Sequence, residues 1–158
     1  MTNVSVTLSE VKNYINGEFE RNEQNSMDVI SPLDGSKISS IPLSTTQDVN
    51  KAVQSAKNAF PEWSGMTLKE RVQIFFRYRS LLEQNMDELT KLVQIENGKT
   101  YGEAKAEVEK SMELCEFAVS MPQIVVNEVQ EVSKGVECRI ERKPLGVVAS
   151  ITPFNFPN

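Results

Sequence analysis

The chain has 158 residues, 39% of them hydrophobic and 25% charged, which suits one soluble domain with a real core and is short for two. A formal net charge of −5 argues against a general nucleic-acid binder, because phosphate binding needs a basic face. Histidine is absent and only two cysteines occur, which excludes Ser-His-Asp and Cys-His nucleophile pairs and argues strongly against a structural zinc site.

The compartment follows from the same composition. The first 17 residues lack a basic start followed by an apolar run, so we expect no signal peptide. No apolar stretch approaches the length of a membrane span. Cys115 and Cys138 do not suggest a disulfide framework. We therefore expect a reduced, cytoplasmic protein without a membrane or nucleic-acid partner.

Short strands are predicted first. Asn16-Gly17 stands between alternating apolar residues, a pattern typical of a type I′ hairpin. Residues 27–30 and 37–42 then bracket the turn signal Ser31-Pro32-Leu33-Asp34-Gly35. The chain should therefore open with hairpins.

Four helices are predicted next, because the apolar period becomes helical after residue 45. Three of them should begin at Thr45, Thr67 and Thr100, each followed three residues later by an acidic residue that completes a cap. The third helix in chain order should begin at Asn85.

The ends and apolar faces of these helices can also be predicted. Val49 and Val53 lie on the apolar face of the first helix, which Pro61 should end. Gly98 should end the third helix. Cys115 lies on the apolar face of the fourth, with its Lys and Glu residues pointing outward.

Strand character returns after residue 124. Residues 136–143 alternate, with Val136, Cys138 and Ile140 on one face, and both cysteines of the chain are interpreted as inert packing residues. Residues 147–151 form a near-continuous apolar run, typical of a parallel strand buried on both faces. Only seven residues follow it, so its neighbours cannot come from this chain, and we expect it to be the first strand of a sheet whose remainder is missing.

Several short motifs stand in register along the chain: Tyr14-Ile15-Asn16-Gly17-Glu18, Ser31-Pro32, Ala59-Phe60-Pro61-Glu62-Trp63, Glu96-Asn97-Gly98-Lys99, Pro144-Leu145-Gly146-Val147-Val148 and Pro153-Phe154-Asn155-Phe156-Pro157. In order and spacing they resemble the amino-terminal part of an aldehyde dehydrogenase. Most of that superfamily carries Trp where this chain has Phe154. The Phe, together with the Glu-Asn-Gly-Lys run, is closer to methylmalonate-semialdehyde dehydrogenases of the CoA-acylating kind.

The resemblance implies an α/β fold in three parts. Residues 1–123 would be the amino-terminal part of an NAD-binding, Rossmann-type domain, with β-hairpins and about four helices. Residues 124–145 would be an oligomerisation strand segment, and residues 146–158 the first parallel strand and the oxyanion loop of an incomplete sheet. The full-length protein would be a homo-oligomer, a dimer or a tetramer.

The resemblance also implies an activity. A small-molecule aldehyde, methylmalonate or malonate semialdehyde, would be oxidised with NAD through a cysteine thioester, and coenzyme A would release the acyl group. Asn155 would donate its amide to the oxyanion, and Thr152 and Phe154 would lie against NAD. The nucleophilic cysteine lies beyond this chain in the family, since neither Cys115 nor Cys138 matches its position. We therefore expect the chain alone to be inactive.

Other interpretations stay open. On spacing alone, Asn155 is a turn amide that bonds its own backbone. The protein could belong to another aldehyde dehydrogenase that releases a carboxylate without CoA. It could also be a non-catalytic module that binds family subunits through residues 124–143. The abrupt end in a loop fed by a buried strand favours a truncated enzyme over such a module.

That expectation predicts that the isolated 158-residue chain self-associates. The edge of residues 147–151 carries neither a charge nor a proline that would discourage pairing with another chain. Size-exclusion chromatography with light scattering should show dimers, larger species or aggregates. A sharp, monodisperse monomer would count against the prediction.

Overall fold

The computed structural model describes residue 8, residues 10–20 and residues 25–158. The first seven residues, on which the expectation of no signal peptide partly rests, lie outside this description. The fold is mixed α/β. In chain order its elements are β1 (Asn13–Ile15), β2 (Glu18–Glu20), β3 (Ser26–Ile30), β4 (Lys37–Pro42), α1 (Thr46–Gly65), α2 (Leu68–Gln84), α3 (Met86–Asn97), α4 (Tyr101–Val119), α5 (Met121–Ile124), β5 (Glu128–Ser133) and β6 (Val136–Ile140).

The strands form three antiparallel hairpins, β1 with β2, β3 with β4 and β5 with β6. The first hairpin turns through Asn16 and Gly17, whose φ angles are 54° and 83°. Positive φ at both central positions defines the predicted type I′ turn. Among the strands that the structure describes, none pairs in parallel.

Three of the four long helices begin as predicted. In α1, α2 and α4 the Thr45, Thr67 and Thr100 hydroxyls each accept the amide of the residue three positions on, and the acidic side chain there accepts the threonine amide. These bonds satisfy donors that a helix otherwise leaves free. The hydrogen bonds to Thr100 also lower the pKa of the Glu103 carboxyl below its usual value.

The start of α3 differs from the prediction. The Asn85 side chain makes no cap bond to α3; it donates instead to the Leu81 carbonyl at 2.7 Å. Only Asn85 separates the last residue of α2 from the first of α3. The Asn85 side-chain amide therefore bonds a free carbonyl at the end of α2 and no backbone N–H at the start of α3.

The helical core is centred on α4, against which both α2 and α3 pack. Ala104 and Val108 of α4 have no exposed surface, and Cys115 is buried as predicted. Val72 and Leu82 of α2 and Thr90 and Val93 of α3 complete this core. The result is a three-helix layer with α4 in the middle.

One prediction about α1 is wrong. Pro61 does not end the helix, which continues to Gly65. The carbonyl that Pro61 cannot bond belongs to the exposed Lys57, where water can replace the missing donor. The apolar face is not buried: Val49 is 56% exposed, and α1 contains no buried residue. The helix packs against β1 more than against any other element of the described structure, and that contact is small.

Residues 128–158 are almost entirely open to solvent. Residues 146–151 form no strand in the structure, and Ile151 is 98% exposed, because a strand needs a hydrogen-bonded neighbour that the described residues do not contain. The β5–β6 hairpin is exposed along its whole length. The expected packing of Cys138 is therefore wrong for this chain, since Cys138 is exposed on β6.

Truncation of the core of α4 should destabilise the chain measurably. In Val108→Ala the free energy of unfolding should fall by about 2 kcal/mol, since two methyl groups are lost from a filled site. The matched control is Val49→Ala on α1, which has the same change in helix propensity at an exposed position and should lie within about 0.5 kcal/mol of the parent. Urea unfolding followed by circular dichroism measures both. Equal losses in the two variants would contradict the assigned core.

Candidate active-site loop

The connection between α3 and α4 is a tight glycine turn. Gly98 has a φ of 74° and donates its amide to the Gln94 carbonyl at 2.9 Å, an ending that favours glycine. A Cβ at this position would lie 3.3 Å from Cγ of Pro32, in the β3–β4 turn. Glycine is therefore favoured twice, by conformation and by close packing. The turn is flanked by Asn97 and Lys99, whose side chains reach the final loop of the chain.

Asn97 and Lys99 hold the backbone of residues 153–158, which we call the terminal loop. Nδ2 of Asn97 donates to the Phe154 carbonyl at 3.1 Å, and Nζ of Lys99 donates to the Asn155 carbonyl at 2.6 Å. Consecutive carbonyls of the loop are thus bonded by two side chains from one turn. This arrangement provides hydrogen bonds that a sheet would otherwise supply.

Glu107 of α4 provides the third attachment. Its side chain is almost completely buried, and its Oε2 pairs with Nζ of Lys99. Its other oxygen, Oε1, accepts the amide of Asn158 at 2.9 Å. Nδ2 of Asn158 in turn donates to Oγ of Ser111, one helical turn further along α4, at 3.0 Å. One buried carboxylate therefore connects to the loop at two points, directly at Asn158 and through Lys99 at Asn155.

The aromatic ring of Phe156 completes the surroundings of Lys99. Nζ of Lys99 lies 4.5 Å from the ring centroid, within the range of a cation–π contact. The ammonium of Lys99 is thus surrounded by a carboxylate, a carbonyl and a ring face. A charged group that has lost much of its water needs such partners.

An open groove of about 840 Å³ runs beside the terminal loop. Its lining includes Asn97, Lys99, Glu107, Ser111, Leu114 and Asn155. Asn155 itself is exposed, so its side-chain amide is available to a molecule that enters from solvent. A neutral N–H donor beside a groove can stabilise developing negative charge on a reacting oxygen.

The two residues predicted to contact a cofactor lie on the same stretch but are not held in the groove. Phe154 is 90% exposed, although its backbone carbonyl is bonded by Asn97. Thr152 is also exposed, and within residues 25–158 no hydrogen bond or ion pair restrains its side chain. The structure brings Asn155 together with its anchors and leaves both neighbouring side chains open.

Neither cysteine has the surroundings of an activated nucleophile. Burial raises the pKa of the Cys115 thiol above its ordinary value, which disfavours the thiolate. Cys138 is exposed on the β5–β6 hairpin, far along the chain from the helices that line the groove. No group of three or more potential metal ligands occurs in the described part of the chain, and no helix there is long and apolar enough to cross a membrane.

Sequence reasoning missed the anchors of the loop. The Glu96-Asn97-Gly98-Lys99 run was interpretable as a simple helix stop, and all Lys and Glu side chains of α4 were expected to point outward. For Glu107 that expectation is wrong, since only 6% of the residue is exposed. The available signal was its position: Glu107 lies three residues after the buried Ala104 and one before the buried Val108, on the apolar side of the helix.

The sequence model of the aldehyde dehydrogenase family matches residues 19–158, and the chain belongs to that family. It is 40% identical over 153 residues to malonate-semialdehyde dehydrogenase 2 of Oceanobacillus iheyensis, covering 96% of this chain, and 44% identical over 149 residues to that of Bacillus mycoides, covering 93%. The chain spans about a third of the length of these relatives, 32% and 31%.

Solved structures agree with the sequence relatives. The crystal structure of a methylmalonate-semialdehyde dehydrogenase from Oceanimonas doudoroffii superposes with a TM-score of 0.90 at 34% identity, over 95% of this chain and 31% of that one. A protein from Sinorhizobium meliloti 1021, assigned to the same activity and complexed with NAD, gives a TM-score of 0.89 at 32% identity, over 97% and 31%. The hairpins and helices therefore correspond to the amino-terminal part of aldehyde dehydrogenase structures.

Removal of the Glu107 carboxylate should release the terminal loop. In Glu107→Ala the Asn158 amide loses its acceptor and Lys99 loses its counter-charge, so the free energy of unfolding should fall by about 2–3 kcal/mol. Hydrogen exchange followed by mass spectrometry should show faster exchange in peptides that cover residues 153–158.

The matched control is Glu109→Ala on the same helix. Its carboxylate pairs with Lys105 at 3.6 Å, and both side chains are nearly half exposed, so the change should lie within about 0.5 kcal/mol. Faster loop exchange in both variants would indicate general loosening of α4 and would contradict the specific attachment at Glu107.

Proposed function

We propose that this chain forms the amino-terminal part of an NAD-dependent, CoA-acylating dehydrogenase of malonate or methylmalonate semialdehyde. The observation that carries the proposal is the fixed backbone of Asn155, whose carbonyl is bonded by Lys99 and which lies in the lining of the groove. Support for the substrate class comes from relatives that are named for these semialdehydes. The nucleophilic cysteine would be supplied by residues that follow this chain.

Asn155 would act as the oxyanion donor. Attack of a cysteine thiolate on the aldehyde places negative charge on the carbonyl oxygen, and a preorganised neutral donor stabilises that charge without a proton transfer. An ionised aspartate could only accept a hydrogen bond. The flanking Pro153 and Pro157 restrict the backbone on both sides of the amide. The alternative, in which the Asn155 side chain stabilises its own turn, is less well supported. The loop is held instead by the side chains of Asn97, Lys99 and Glu107.

NAD would supply the hydride acceptor. This chain would contribute only part of the NAD site. The side chains of Thr152 and Phe154 are exposed and could contact NAD beside Asn155. A glycine-rich phosphate loop of the G-x-G-x-x-G type does not occur in the sequence. The diphosphate would therefore be bound by later residues. The NAD complex of the Sinorhizobium relative supports this choice of cofactor.

Residues 124–145 would form the contact between subunits. The β5–β6 hairpin is exposed on both faces and has free edges, and unpaired strand edges favour addition of another strand. Residues 146–151 would then join the parallel sheet of the cofactor domain once further strands follow. The assembly would be a homo-oligomer, a dimer or a tetramer.

Two other functions remain as alternatives to this proposal. An enzyme that releases the acyl group to water would use the same Asn155 and would differ in its acceptor. A non-catalytic module that binds family subunits through the hairpin would not need the amide at all. The exposed Asn155 beside a groove favours an enzyme, and the names of the relatives favour a semialdehyde as its substrate.

The first experiment is to read the coding sequence beyond Asn158 and to express the complete product. With malonate semialdehyde, NAD and CoA, it should form NADH and an acyl-CoA, followed by absorbance and mass spectrometry. Formation of carboxylate with no dependence on CoA would identify the non-acylating alternative. A stop codon directly after Asn158 would overturn the enzymatic proposal and favour the binding module.

In that enzyme Asn155→Ala should reduce kcat about 10²–10³-fold, since one oxyanion donor is lost. The control is Asn58→Ala on the exposed surface of α1. The Asn58 side chain accepts a hydrogen bond from Gln54 of the same helix, and its removal should leave kcat unchanged. A kcat of Asn155→Ala within about twofold of the parent would contradict the assigned role.

A further inference from the structure

The side chain of Lys99 makes three contacts at the terminal loop and its anchor. Its ammonium donates to the Asn155 carbonyl at 2.6 Å, pairs with Glu107 and lies 4.5 Å from the centre of the Phe156 ring. An ammonium has three N–H donors and no acceptor. A carboxylate, a carbonyl and an aromatic face together match that donor set, so the cation has a partner for each of its hydrogens.

The contact acts on the backbone of the residue proposed to donate to the oxyanion. Fixing the carbonyl of Asn155 fixes the orientation of the peptide plane that follows its Cα. The Asn155 side chain has only two rotatable bonds beyond that Cα, so the position of its amide depends closely on the backbone. A displacement of a catalytic group by about 1 Å can reduce a rate by about 10²-fold.

The position of Lys99 is itself determined by its neighbours. Gly98 turns the chain between α3 and α4. The ammonium of Lys99 is held by Glu107, whose side chain is only 3% exposed. Lys105, near the start of α4, has different surroundings. Its side chain is 45% exposed, and its Nζ lies 3.6 Å from Oε1 of Glu109. Two lysines of the same segment thus have contrasting surroundings, and only Lys99 reaches the terminal loop in the structure.

We propose that Lys99, held by Glu107, is a positioning residue for the oxyanion donor Asn155. It does not touch the substrate; it determines where the Asn155 amide points. The inference rests on the proposed function, because it gives Lys99 a role only if Asn155 stabilises an oxyanion. It differs from a purely structural role, in which Lys99 would stabilise the fold without acting through Asn155.

The test is a double-mutant cycle in the complete enzyme, with Lys99→Met, Asn155→Ala and the double variant. Lys99→Met should lower kcat about 10- to 100-fold while KM for aldehyde and for NAD stays within about twofold. In the Asn155→Ala background the same change should cause no further loss of kcat, because the amide that Lys99 positions is gone. The control Lys105→Met should match the parent in both backgrounds.

Two results would overturn the inference. One is an unchanged kcat in Lys99→Met; the other is an equal fractional loss with and without Asn155, which indicates a structural effect independent of the amide. These results are distinct from failure of the proposed function, which would appear as full activity of Asn155→Ala alone.

A second variant covers the case in which Lys99→Met does not fold. Glu107→Gln keeps the size of the side chain and an acceptor for the Asn158 amide but removes the charge that holds Lys99. It should lower kcat by a smaller factor than Lys99→Met and have no effect in the Asn155→Ala background. Parent-like kcat in a folded Glu107→Gln would overturn the role of Glu107 in holding Lys99.

Discussion

The constraint on which the terminal loop depends is the burial of one charged group, Glu107. A carboxylate almost without solvent must be compensated by charge and hydrogen bonds, and here the compensation comes from Lys99 and from the amide of Asn158. Each partner brings a different part of the loop to α4. The groups that stabilise the buried carboxylate therefore also fix the backbone of residues 155–158. In the described residues the loop is positioned by these bonds and not by a sheet.

The frame around this ion pair is built mostly from local signals. Capping boxes determine where α1, α2 and α4 begin, and Gly98 determines how α3 passes into α4. The packing of α2 and α3 against Val108 and its neighbours then holds α4 in place. Outside this three-helix layer the chain buries little: α1, the β5–β6 hairpin and residues 146–151 all present apolar side chains to solvent. Exposed apolar surfaces of this kind mark sites of contact with other protein segments, which agrees with the proposal that this chain is one part of a longer protein.

Features governed by neighbouring residues were predictable from the sequence, and features governed by distant ones were not. The Asn16-Gly17 turn and the threonine caps depend on three or four residues, and the structure confirms them. The inner position of Glu107 depends on a lysine eight residues away and a loop some fifty residues away, so its charge suggested a solvent-facing side chain. Pro61 was wrongly expected to end α1, because the tolerance of a helix for proline depends on whether water reaches the freed carbonyl. A motif singled out Asn155 as a candidate, but the side chains that hold its loop were not predicted, since nothing local links Lys99 to it.

The order of the anchors along the chain has a consequence for synthesis. Asn97, Lys99, Glu107 and Ser111 all precede the residues that they hold. During translation, at about 5–20 residues per second, the three-helix layer and its buried carboxylate can form while the terminal loop is still leaving the ribosome. The loop can then bind to side chains that are already in place. The position of the loop backbone therefore depends on contacts with residues that are synthesised earlier.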